Sequence, residues 1–162
     1  MASRYPAPNE ESVDAALGAL VTTPHQVARV PSAEPEREPT GAVAEYVTGD
    51  GNTLAAIAFA DRDAVNFVGG AVAAVEVETI QKVNGGGTLH DGALESFREI
   101  ANSLGTCLNG DFTPPLHLSA VHRLPGELTE EIKQLWRKPG GKRGFRLTVN
   151  QYGSGTIILY LI

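Results

Sequence analysis

The chain has little with which to build covalent or metal chemistry. Its 162 residues include one cysteine, Cys107, so no intrachain disulfide can form, which fits a reducing compartment. Four histidines stand at 25, 90, 117 and 122, with no Cys or His pair at zinc-ligand spacing. His117 and His122, five apart in a predicted strand, fall on opposite faces, and no metal or cofactor of the chain's own is expected. Apolar runs are short. Nothing approaches the roughly 18–20 residues of a membrane span, and "MASRYPAPNEES" lacks the apolar centre of a signal peptide. Basic charge is also scarce: 13 Lys and Arg against 19 Asp and Glu give a net charge of −6, which argues against a nucleic-acid partner. The basic cluster "RKPGGKRG" (137–144) is centred on turn-forming residues and reads as a solvated connection. A cytoplasmic protein without membrane or nucleic-acid contacts is the expectation.

Common catalytic signatures are missing as well. "PGGKRG" places Arg143 where a phosphate-binding loop needs Ser or Thr. "GGG" at 85–87 lacks dinucleotide-site spacing, and no G-x-S-x-G elbow occurs.

What is present is a globular composition, 42% hydrophobic and 20% charged, at the length of one ordinary domain. A single domain over 1–162 is expected, with a flexible N-terminus at 1–8 and a surface loop at 32–41 ("SAEPEREPTG"). "NEESVDAALGALVTT" (9–23) reads as a helix capped by Asn9, and "HQVARVP" (25–31) as a strand. Two apolar runs flanking "GDGN" make 42–60 a β-hairpin. Asp61 caps a helical stretch over 61–81 that is weakened by Gly69 and Gly70. Residues 83–92 read as a flexible connection, and 116–124 as a strand closed by Pro125-Gly126. A short helix over 128–136 is capped by Thr129, and the C-terminal stretch is a hairpin turning at "YGSG". Strands arriving in hairpins predict an α+β fold: an antiparallel sheet of about six strands, with two or three long helices on it.

One helix carries more than a core face. In "LESFREIANSLGTCL" (94–108), Leu94, Phe97, Ala101, Leu104 and Leu108 form the apolar stripe, and Gly110 ends the helix. At about 100° per residue, Glu95, Glu99, Asn102 and Thr106 cluster on nearly the opposite side. A polar helix face is ordinarily just solvated. Asn102 is less readily explained so, because an asparagine inside a helix costs some tenths of a kcal/mol relative to alanine.

Glu99-Ile100-Ala101-Asn102, with Pro125 standing 23 positions after Asn102, resembles the E-x-x-N…P signature of the CheC/CheX/FliY phosphatases, which dephosphorylate the response regulator CheY. The hairpin "AEYVTGDGNTLAAIAF", the helix "DRDAVNFVGGAV" and the terminal hairpin also look like that fold, so the likeness spans roughly 10–162. CheC-type members carry the motif twice. Here the first helix comes no nearer than Glu11-Ser12-Val13-Asp14, the single-site arrangement of CheX, and CheX proteins dimerise by joining sheet edges. Where the family usually has Asp or Ser four residues before its Glu, this chain has Glu95. The resemblance implies catalytic roles for Glu99 and Asn102, and supporting or partner-binding roles for Glu95 and Pro125. It also implies a homodimer, and a phosphorylated CheY-like receiver that brings its own Mg2+. An aspartyl phosphate is already labile, and its hydrolysis needs a placed water more than a strong base. A carboxamide can accept from that water and donate to a phosphoryl oxygen. The same resemblance also accommodates a non-catalytic protein that binds a receiver or a flagellar-switch-like partner, and a purely structural dimer.

Overall fold

The computed structural model describes residues 7–31, 40–49, 53–108, 115–124, 126–138 and 141–162. The chain runs α1 (Glu10–Gly18), β1 (His25–Val30), β2 (Gly41–Val47), β3 (Leu54–Ala60), α2 (Arg62–Val72), α3 (Val77–Gly85) and α4 (Asp91–Leu108). It continues through β4 (His117–Leu124), α5 (Glu130–Arg137), β5 (Lys142–Val149) and β6 (Gly153–Leu161). The six strands form one sheet in the order β1-β5-β6-β3-β2-β4, and every neighbouring pair is antiparallel. The α+β architecture is as the sequence predicts.

Alternation along β2 and β3 gives the sheet two different faces. Ala42, Ala44, Tyr46, Ala56, Ala58 and Ala60 point to one side, where Val13 and Leu17 of α1, Val65 and Val68 of α2, and Phe97, Ile100 and Leu104 of α4 complete the main core. Alanines on the strands let the helix axes approach the sheet closely, and burying each larger side chain contributes roughly 1.5–3 kcal/mol. Val43, Ile57, Phe59, Ile158 and Leu124 point the other way, and there α5 supplies Ile132 and Trp136. The Trp136 ring meets Phe59 edge-on at 4.7 Å. Cover on both faces is why β2 and β3 read as nearly unbroken apolar runs.

Caps legible in the sequence are in place. Asn9 accepts from the Ser12 amide, Asp61 from Ala64 and Thr129 from Ile132. Several boundaries differ. The helical stretch expected over 61–81 is two helices, broken at Ala74, which takes φ 55 while the Val75 amide donates back to the Gly70 carbonyl. No Gly or Pro marks this helix end. The connection expected over 83–92 is largely ordered: α3 runs to Gly85 and α4 starts at Asp91. Asn66, fully buried, accepts from the His90 amide at 2.8 Å and donates to the Thr88 carbonyl, fixing where α4 begins. His90 Nδ1 then accepts from the Ala93 amide at 3.1 Å.

The last hairpin turns at Asn150–Tyr152 rather than at "YGSG". Gly155 lies within β6 because α2 presses on it: a Cβ there would stand 2.1 Å from the Ala64 nitrogen. Gly69 has a similar cause, since its Cβ would stand 2.1 Å from the Ala93 carbonyl oxygen of α4. Pairing of β4 with β2 shifts register between Glu45 and Tyr46, so that His117 opposes Val47 and His122 opposes Val43. The extra residue puts both histidines on the α5 side, correcting the expectation of opposite faces. The loop at 32–41 lies outside the described residues except Thr40 and Gly41, and Gly41 already belongs to β2. The N-terminus through residue 6, Asp50–Asn52 of the first hairpin turn, Gly110 and Pro125 also lie outside them.

Candidate functional site

Helix α4 is held on its apolar side and left open on the other. At its start, the Gly69 contact lets α2 pack against Ala93, and the Arg123 guanidinium of β4 reaches the Asp91 carboxylate at 2.7 Å. Midway, the Tyr46 hydroxyl donates to the Ala101 carbonyl at 2.6 Å. One residue beyond Asn102, Ser103 Oγ donates to the Ala16 carbonyl of α1 at 2.6 Å.

Glu95, Glu99 and Asn102 all lie on the exposed side, as a 3.6-residue period requires. Among the described residues none of the three takes a hydrogen-bond or ion-pair partner. Two carboxylates and a carboxamide are thus presented together within two helical turns, on backbone anchored from below. Pro125, the fourth candidate, lies outside the described residues.

Arg98, also exposed, stands one turn before Asn102 on the same face and has no ion pair among the described residues. The helical count that picks out Glu95 and Glu99 would have found it. Tyr46 and Ser103 gave no such signal, because their roles depend on contacts 55 and 87 residues away in sequence.

Other polar groups are engaged elsewhere. His122 lies between two carboxylates, with Nε2 2.9 Å from Glu45 and Nδ1 3.5 Å from Glu127, on the far side of the sheet from α4. Asp61 has its carboxyl pushed above the ordinary Asp value by burial, and the amides of Ala64 and Thr156 only partly oppose this. It borders a small concavity of about 90 Å³ against Phe59, Trp136 and Ile158, again remote from the α4 face. Among the described residues no group of three His, Cys, Asp or Glu side chains is placed to hold a metal, and no helix is long and apolar enough to cross a membrane.

No family model matches the sequence, and no curated protein matches it either. Solved structures do. A FliM–SpeE complex from H. pylori matches with a TM-score of 0.60 at 5% identity, over 94% of this chain and 80% of that one. FliY from Thermotoga maritima matches at 0.54 and 13% identity, over 93% and 82%. The CheX–CheY–BeF3–Mg2+ complex from Borrelia burgdorferi matches at 0.52 and 9% identity, over 93% of each chain.

The fold is the one shared by FliM, FliY and CheX. At such identities the likeness establishes architecture alone. In this fold the Glu99/Asn102 pair occupies the solvent side of a helix whose other side is built into the core.

Proposed function

We propose that this chain hydrolyses the aspartyl phosphate of a CheY-like receiver domain, with Asn102 orienting the attacking water and Glu99 docking the receiver. The observation that carries the reading is the pair itself: a carboxylate and a carboxamide one turn apart, exposed and without partners among the described residues, on a helix anchored by Tyr46 and Ser103. The fold shared with CheX, seen in complex with CheY, BeF3 and Mg2+, supports a receiver as the partner.

In the reaction, water attacks phosphorus, the bond from phosphorus to the aspartyl oxygen breaks, and a carboxylate and inorganic phosphate leave. The phosphoaspartate and the Mg2+ ion belong to the receiver. Asn102 accepts a hydrogen bond from the water and donates one to a phosphoryl oxygen, aligning the nucleophile without a strong base. Glu99 pairs with a basic group of the receiver, and Glu95 and Pro125 support the contact. The protein works in the cytoplasm as a homodimer. An edge-to-edge dimer would use β1 or β4, the two strands with one neighbour each.

The likeness to FliM in its complex with SpeE favours a second reading, in which the same face binds a receiver or a flagellar-switch-like protein without turnover. The deciding experiment charges receivers of the source organism with a small acyl phosphate and follows phosphate release with wild type, Asn102→Ala and Glu99→Ala. Acceleration by wild type that Asn102→Ala loses, and that Glu99→Ala shows only at higher receiver concentration, supports the phosphatase. Binding of a receiver without acceleration establishes the second reading in its place.

A further inference from the structure

Asn102 sits between two residues that are both tied down. Ala101 receives the Tyr46 hydroxyl at 2.6 Å, and Ser103 reaches α1 at 2.6 Å, while Asn102 faces outward. Tyr46 is 0% exposed and lies on β2 beneath this turn of α4. Its ring also passes under Gly105, where a Cβ would stand 3.5 Å from Cε1. Ala101 and Gly105 are the acceptor and donor positions of one helical rung, and Asn102 is the first residue inside it. Glycine is a weak helix former, so the rung that brackets Asn102 is intrinsically loose and is reinforced from the sheet. Phenylalanine would fill the same space. What the phenol adds is direction: a buried hydroxyl needs a partner, and this one donates to the carbonyl adjoining Asn102.

We infer that Tyr46 is a positioning residue, whose hydroxyl fixes the Glu99–Asn102 turn relative to the sheet and so sets where the carboxamide meets the water. The inference rests on the phosphatase reading of the α4 face. It goes beyond that reading by assigning the accuracy of the site to a residue that touches neither water nor phosphate. Positioning errors on the scale of 1 Å can cost up to about 100-fold in rate, so the loss of a single pin is expected to cost about tenfold.

The test compares wild type, Tyr46→Phe and Asn102→Ala on the acyl-phosphate-charged receiver, alongside amide hydrogen exchange of the proteins alone. The expected result is a kcat about tenfold lower for Tyr46→Phe, with KM for the receiver within about twofold of wild type. Exchange of the Gly105 amide speeds up, while amides around Phe97 keep their protection. Wild-type kcat in Tyr46→Phe, with release abolished in Asn102→Ala, overturns the inference and leaves the phosphatase reading standing. Faster exchange all along α4, with KM rising as kcat falls, means a general structural role and also overturns it. Release that is equal in wild type and Asn102→Ala overturns the phosphatase reading, and the positioning role with it.

Discussion

Helices α1 and α4 pack against each other on the same face of the sheet, and each turns a polar side outward. The two polar sides are used differently. In α1, Glu11 and Asp14 have the same three-residue spacing as Glu99 and Asn102. Yet Asp14 lies 3.2 Å from His25 of β1, and Ser12 closes a capping box with Asn9. In α4 the corresponding side chains have no partner among the described residues, and the anchoring bonds go to backbone carbonyls: Tyr46 to Ala101, and Ser103 across to Ala16. One helix uses its polar residues to hold itself in place. The other is held by its neighbours, and Glu95, Glu99 and Asn102 take no part in that holding among the described residues. Residue types alone do not separate the two cases; what separates them is where each side chain's hydrogen bonds end.

Activity gives the largest expected contrast. Asn102→Ala is expected to lower receiver dephosphorylation on the order of 100-fold, while Asp14→Ala leaves it unchanged within about twofold and costs no more than about 1 kcal/mol of stability. Equal activity losses in parallel phosphate-release assays would erase the distinction between the helices.

Next comes the seat of α4. Gly69→Ala would force a methyl group into the Ala93 carbonyl, a backbone atom that cannot swing aside. Chemical denaturation should show a loss of about 3 kcal/mol. A loss below about 1 kcal/mol would mean that α4 is not held by close approach to α2. Smaller still is the bond that joins the compared helices. Ser103→Ala leaves the Ala16 carbonyl, in the last turn of α1 where helical donors run out, without that hydroxyl, and should cost about 1–2 kcal/mol in the same assay. No change would show that the two helices are held together by packing alone.

The smallest effect is a slope. Asp61 caps α2, the third helix on this face, and burial raises its folded-state pKa above the ordinary 3.8. Its contribution is therefore fully present below 3.8, where both folded and unfolded forms hold the proton, and is lost as pH climbs through the raised value. Asparagine keeps the cap without a charge. Asp61→Asn should thus gain on wild type as pH rises above about 4, then level off. Denaturation curves that stay parallel from acid to neutral pH would contradict this.

Features decided by neighbouring residues were legible in the sequence. Asn9, Asp61 and Thr129 cap helices because a short side-chain oxygen reaches amides two or three residues on. The stripe of α4 declares itself through its period. Features decided by distant contacts were not legible. Ala74 ends α2 in a left-handed conformation that nothing in "AVAAVE" announces, and the Tyr152 hydroxyl bonds the Val75 carbonyl beside it. The glycines of "YGSG" look like a turn, but Gly155 serves the approach of α2. The register shift in β4 moves His117 to the side of His122, although strict alternation would separate them.

The sequence by itself determined that Glu95, Glu99 and Asn102 share a helix face, because a 3.6-residue repeat is a local property of the backbone. It also determined the hairpins that make the sheet antiparallel. Only the tertiary structure decided that Asp14 would be tied to His25 while Asn102 took no partner among the described residues, that Tyr46 would lie under Ala101, and that α2 would dock on α4 at Gly69. Those outcomes depend on which surfaces meet when the strands order as β1-β5-β6-β3-β2-β4. Contacts between residues 55 or 87 positions apart leave no mark in the spacing of neighbours.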